Sequence, residues 1–171
     1  MITPNLCTLN ILLADDGSAH SKAAIKLLGD LPLDEQSLIK ALRVFTPSDT
    51  ADVWLLERTL ELTEKALKEQ GKRVESEIVL GHPAEKIIEV AKEHQASMIV
   101  IGAKGLRATL GILLGGVVQQ VIEHAELPVL VVREPYDGLK RVLFTVDGSE
   151  QSNNMINCMG DFPFPEGVEF D

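Results

Sequence analysis

Residues 97–118 read SMIVIGAKGLRATLGILLGGVV. The apolar run Met98-Ile99-Val100-Ile101 is short and β-branched, which predicts a strand buried on both faces. Gly102 ends it, Gly105 follows, and Gly115-Gly116 come just before Val117, Val118, Val121 and Ile122. Those four positions predict the buried face of a helix that begins near Gly115. A strand, a glycine-bearing loop and a helix N-terminus together make an anion site. Glycine lets backbone approach a ligand, and the first-turn N–H groups of a helix lack partners. The spacing Gly102-x2-Gly105-x9-Gly115 also occurs in ordinary strand-to-helix turns. The strand before it and the helix after it give it weight.

The flanking chain repeats the alternation. Asn10 to Ala14 predicts a first strand, closed by Asp15-Asp16-Gly17-Ser18, a turn and helix N-cap signal. The next helix carries Ala23, Ala24, Leu27 and Leu28 on one face, with Gly29-Asp30-Leu31-Pro32 to stop it. Residues 37–45 predict a second strand, broken by Thr46-Pro47-Ser48. Asp52 to Gln70 reads as an amphipathic helix with Leu55, Leu56, Leu60, Leu62, Ala66 and Leu67 on its apolar side and Gly71 as its C′ residue. Val74 to Leu80 is a third strand. Ala84 to His94 is a helix with Pro83 in its first turn and Ile87, Ile88, Val90 and Ala91 inward. Pro128 to Val132 is a fifth strand. Five short strands alternating with helices predict an α/β, doubly wound parallel sheet with right-handed crossovers. Ligands in such sheets sit beyond the carboxyl ends of strands, where Asp16 and Gly102 both lie.

Composition narrows the class. The 171 residues are 45% hydrophobic but only 4% aromatic, so the core is aliphatic, as in a parallel sheet covered by helices. A net charge of -10 disfavours nucleic-acid partners. Cys7 and Cys158 lie outside any C-x-x-C pattern and read as free thiols of a reducing compartment. No apolar run approaches the ~20 residues of a membrane span, and the first residues lack the pattern of a secretory signal. The expectation is a cytoplasmic protein with no membrane partner.

The glycine spacing, with the strand before it, resembles the universal stress protein family, whose ATP-binding signature is G-x2-G-x9-G followed by Ser or Thr. The glycines match at Gly102, Gly105 and Gly115. Gly116 stands in the Ser/Thr position, and Val118 where nucleotide-binding members often carry a second hydroxyl. The resemblance implies strand order 3-2-1-4-5 and an adenine-nucleotide alpha-hydrolase-like fold. It also implies a binding set of Ala14, Asp16, Val44, Ile101, Gly102, Lys104, Gly105, Gly115, Gly116 and Val117. The implied ligand is ATP or AMP, with Mg as an accompanying ion. In that set Asp16 would accept from ribose or adenine. Its other reading is a helix N-cap, worth about 1 kcal/mol. Val44 and Ile101 would border the adenine, and Lys104 and Arg107 could neutralise phosphate.

A second signal lies near the end of the sequence. Leu143-Phe144-Thr145-Val146-Asp147-Gly148-Ser149 repeats Leu12-Leu13-Ala14-Asp15-Asp16-Gly17-Ser18, and one constant offset also aligns Ser152 with Ser21, Ile156 with Ile25 and Pro163 with Pro32. Internal duplication explains this. Residues 1–137 are expected to form one domain and 138–171 a partial second repeat, its first strand (Val142 to Val146) and helix. A helix carrying Met155, Ile156 and Met159 cannot bury both faces of that strand alone.

His20, His82, His94 and His124 sit in different segments, and none has metal-ligand spacing. His82 belongs to a strand-to-helix turn and is a candidate to face the cleft, but the expectation for all four is a turn or surface histidine. No nucleophile with its base assembles from the sequence. The expectation is therefore a nucleotide-binding stress-response module, at most a very slow ATPase. A non-nucleotide-binding scaffold for protein contacts is the alternative, and an adenylate-processing enzyme comes third. The apolar Val129–Val132 strand, an edge in the implied order, predicts a homodimer paired through it.

Overall fold

The computed structural model describes residues 8–46, 53–105, 113–160 and 162–171. Cys7 and Arg107, and the side chains of Met155 and Cys158, lie outside the described residues.

Five strands form one parallel sheet: β1 (Asn10–Ala14), β2 (Leu38–Phe45), β3 (Arg73–Leu80), β4 (Met98–Gly102) and β5 (Val129–Val132), in the order β3-β2-β1-β4-β5. This is the doubly wound α/β fold expected from the alternation and the resemblance. β1 and β4 run side by side, with Ala14 opposite Ile101, so the Asp15–Ser18 turn and the glycine loop leave the sheet together. Helices α1 (Ala19–Asp30) and α2 (Val53–Glu69) cover one face. Helices α3 (Pro83–Glu93) and α4 (Gly116–His124) cover the other. Period-2 alternation divides the strands between two aliphatic cores. Ile11, Leu13, Ile39, Ala41 and Val100 pack under α1 and α2. Leu12, Leu42, Ile99 and Ile101 pack under α3 and α4.

Helix ends follow local chemistry. Ser18 caps α1, its Oγ accepting from Ser21 N at 3.1 Å. α1 stops within the expected Gly29–Pro32 stretch: Gly29 is its next-to-last residue, and the cap is Leu31 in an extended conformation. Burial of the Leu31 side chain in the core turns the chain there, so no left-handed glycine is needed. At the end of α2, Gly71 has φ +76°. Gly71 N donates to Lys68 O at 2.9 Å and Lys72 N to Leu67 O at 3.0 Å, a Schellman motif.

Two apolar faces are narrower than expected. On α2, Leu60 and Leu67 are buried, whereas Leu55 and Leu62 are 51% and 53% exposed. A helix turns 100° per residue, so the row facing the sheet is Leu60, Thr63 and Leu67, and Leu55 and Leu62 fall beside it. On α4, Val118 and Val121 are buried but Ile122 is 44% exposed.

Beyond β5, β6 (Arg141–Val142) and α5 (Glu150–Gly160) are followed by β7 (Glu169–Phe170), which pairs parallel with β6. The expected strand over 142–146 is shorter and starts earlier, because only Arg141 and Val142 find ladder partners in the two-residue β7. Arg141 faces Glu169 and Val142 faces Phe170, just as Asn10 faces Leu38 and Ile11 faces Ile39. The sequence offset thus carries over to pairing register. The turn is duplicated too: Gly148 has φ +79° beside +76° for Gly17, and Ser152 N donates to Ser149 Oγ at 3.1 Å. Phe162 packs against the α1/α2-side core.

Candidate functional site at the carboxyl end of the sheet

Where β1, β2 and β4 end, a cavity of about 460 Å³ opens between α2, α3 and α4. Its walls include Ala14, Asp16, Val44, Ile101, Gly102, Gly105, Gly115, Gly116 and Val117. The residues singled out by resemblance therefore gather in one place, apart from Lys104. That residue contributes its backbone instead: Ser18 Oγ donates to Lys104 O at 3.1 Å, tying the glycine loop to the cap of α1. The side of the cavity formed by Leu42, Val44, Ile87 and Ile101 is apolar.

Each glycine has its own reason. A Cβ on Gly102 would lie 2.7 Å from Ser21 N and 2.8 Å from His20 C, so this glycine lets α1 approach the end of β4. A Cβ on Gly105 would lie 2.7 Å from Asp16 Oδ2. At Gly115, the N-cap of α4, the nearest atom would be an ordinary 3.6 Å away. A Cβ at Gly116 would meet nothing within 4 Å. Gly116, Val117 and Val118 form the first turn of α4 on the cavity wall, and the amides of a first helical turn have no intrahelical acceptor.

The two readings of Asp16 separate here. Ser18 is the N-cap, and Asp16 Oδ1 accepts from Ser18 N at 2.9 Å in an Asx turn. This fixes the Asp16 carboxylate at the cavity wall. The histidines do other work. His20 Nδ1 accepts from Glu134 N at 2.9 Å, His94 lies 3.5 Å from Glu77, and His124 Nδ1 lies 2.8 Å from Gln120 O. His82 precedes α3 and is exposed. Among the described residues, no three His, Cys, Asp or Glu side chains gather as a metal cluster.

Sequence reasoning missed the polar hub beside the cavity. Asp15 and Arg43 both line it, and their side chains are 0% and 5% exposed. Arg43 Nη2 meets Asp15 Oδ2 at 2.7 Å, and Nε donates to Asp15 O at 3.0 Å. Thr63 Oγ1 donates to the same Oδ2 at 2.8 Å. Oδ1 accepts from Ser21 Oγ at 2.5 Å and Gly17 N at 2.9 Å. Arg43 Nη1 donates to Leu56 O at 3.2 Å and to Thr59 Oγ1. Every oxygen of the buried carboxylate is thereby satisfied, as burial of a charge requires. Alternation held the clue: Ile39, Ala41 and Arg43 share a strand face, and a charge on a buried face needs a partner.

The described helices include none long and apolar enough to cross a membrane. The universal stress protein family model matches residues 8–133. A universal stress protein of Thermus aquaticus is 32% identical over 133 residues, covering 72% of this chain and 97% of its own. The universal stress protein MJ0531 of Methanocaldococcus jannaschii is 38% identical over 79 residues, 46% of each chain, so this match spans about half of that relative's length. The solved structure of the hypothetical protein MJ0577 superposes with a TM-score of 0.69 at 26% identity, over 75% of this chain and 97% of its own. A universal stress protein solved in complex with cAMP gives 0.60 at 24% identity, over 74% and 98%. Another from Archaeoglobus fulgidus, in complex with dAMP, gives 0.54 at 21% identity, over 72% and 97%. The chain belongs to the universal stress protein family.

Proposed function

We propose that the chain is a stress-response module that holds an adenine nucleotide, ATP or AMP, in the cavity at the carboxyl end of the sheet. The observation that carries this is one cavity with three kinds of wall. It has an apolar side for a flat base, at Val44 and Ile101, and a fixed carboxylate at Asp16. It also has the first turn of α4 at Gly116 and Val117. A volume of about 460 Å³ lies in the range of small-molecule sites. The cAMP and dAMP complexes of family members support the ligand class. The phosphate end would rest on backbone amides and the helix dipole, since Gly116 and Val118 bring no hydroxyl, and Mg would travel with the phosphates.

The same reading makes the protein a binder in the cytoplasm rather than an enzyme. It works as a homodimer: β5 is at the sheet edge, wholly apolar, and a second copy is the simplest cover for it. Residues 138–171 are then a partial second repeat resting on the first domain through Phe162. Calorimetric titration of ATP and AMP, with native mass spectrometry of protein purified without added nucleotide, tests the ligand. Binding in the micromolar range or weaker is expected. No heat, no melting shift at millimolar ATP and no nucleotide mass would leave the protein-interaction scaffold in its place.

A further inference from the structure

The first two turns of α2 border the cavity through Leu56. Among the described side chains there, Trp54 and Leu55 are exposed, Leu56 is half-buried, and the first buried apolar one is Leu60. What reaches this stretch from the sheet is Arg43, through Leu56 O and Thr59 Oγ1. Asp15 in turn holds Arg43, and Thr63 one turn further along α2 also donates to Asp15.

The turn itself does not need that carboxylate. The duplicated turn carries Val146 in the place of Asp15. It keeps the left-handed glycine, the Asx turn from Ser149 N to Asp147 Oδ1 at 2.9 Å, and the Ser149 cap. Buried ion pairs are also commonly replaceable by apolar residues with no loss of stability. We propose that Asp15 and Arg43 are positioning residues: they fix the α2 wall of the cavity and so set its affinity for the ligand. The affinity half of this inference rests on the cavity being the nucleotide site; the wall-fixing half does not.

The test compares the parent, Asp15→Val/Arg43→Leu, Arg43→Lys and Thr59→Val. It uses thermal melting, amide hydrogen exchange, the emission anisotropy of Trp54 (the single tryptophan) and titration with ATP and AMP. The double variant is expected to melt near the parent. Its amides at 54–60 should exchange roughly tenfold faster or more, with those of β4 unchanged, and Trp54 anisotropy should fall. ATP binding should weaken about tenfold. Arg43→Lys should keep a charge for Asp15 but lose the planar fork, retaining the melt and not the affinity. Thr59→Val leaves the ion pair intact and should show the same selective exchange in milder form, which decides the matter if the double variant does not fold. Parental exchange at 54–60 in the variants overturns the proposal. So does faster exchange with unchanged nucleotide affinity. A parent that binds neither nucleotide defeats the ligand reading alone, and the exchange arm still judges the wall.

Discussion

Asp16 presses its carboxylate against Gly105, so closely that a Cβ there would sit 2.7 Å from Oδ2. The acid at the end of β1 and the glycine loop after β4 are one fitted unit. Gly105→Ala must push Asp16 aside, and a side chain can rotate. We expect nucleotide affinity to drop about tenfold, the worth of one charge-assisted hydrogen bond, with little change in melting. Gly102→Ala behaves oppositely, because its Cβ meets the backbone of His20 and Ser21, which cannot rotate away. About 1–3 kcal/mol of stability should be lost. Melts and ATP titrations of both variants check the contrast, and parental melting of Gly102→Ala would contradict it.

Gly116→Ser should strengthen ATP binding. The added side chain meets open space on the first turn of α4, where a hydroxyl can donate to a phosphate. The gain is roughly one decade in Kd, read by calorimetry. Equal affinities of variant and parent would mean that the phosphates lie elsewhere.

Catalysis should be absent at ordinary enzyme rates. We expect phosphate release from ATP far below the order of 1 s⁻¹. Steady release at that rate, abolished by Asp16→Ala while binding persists, would make this protein an enzyme.

Tyr136 is the only tyrosine, and its hydroxyl is buried near the Asp30 carboxylate. Burial first, and then the Asp30 carboxylate, push its pKa up to about 12 from 10.0. The neutral form is therefore the one the fold favours. Its contribution to stability is complete below pH 10.0 and is lost as pH rises through about 12. Ultraviolet difference titration should place the phenol midpoint well above that of free tyrosine. Tyr136→Phe should remove the transition.

Leu130→Lys should break the proposed homodimer. It places a charge in the middle of β5, whose outer edge is the proposed contact. Light scattering coupled to gel filtration should give dimer mass for the parent and monomer mass for the variant. A dimer of unchanged affinity would place the contact elsewhere.

The strands and helices were legible because the aliphatic pattern is strong: Met98 to Ile101 could be little but a buried strand. The cavity was legible through Gly102, Gly105 and Gly115, whose spacing carries the family resemblance, and through Asp16 at the end of β1. The hub was not. Asp15 and Asp16 look alike in sequence, and only the pleat, by sending Asp15 under α1 and α2, separates them. Arg43 and Thr63 are distant from Asp15 along the chain, and nothing local announces that they share a carboxylate. Leu62 was misleading for a related reason: helical phase, fixed by Leu60, Thr63 and Leu67, outranks hydrophobicity at a single position.

Apart from Phe45, every phenylalanine lies at or beyond residue 144. Phe144 stacks on Phe170 with centroids 6.0 Å apart, Phe164 meets Phe170 edge-on at 5.0 Å, and Phe162 tilts against Phe164 at 4.7 Å. The sheet beneath is almost purely aliphatic. Phenylalanine ring resonances in a proton magnetic-resonance spectrum therefore report chiefly on the β6–α5–β7 segment, and methyl resonances on the five-stranded sheet. Melting of the one can be followed separately from melting of the other in a single unlabelled sample.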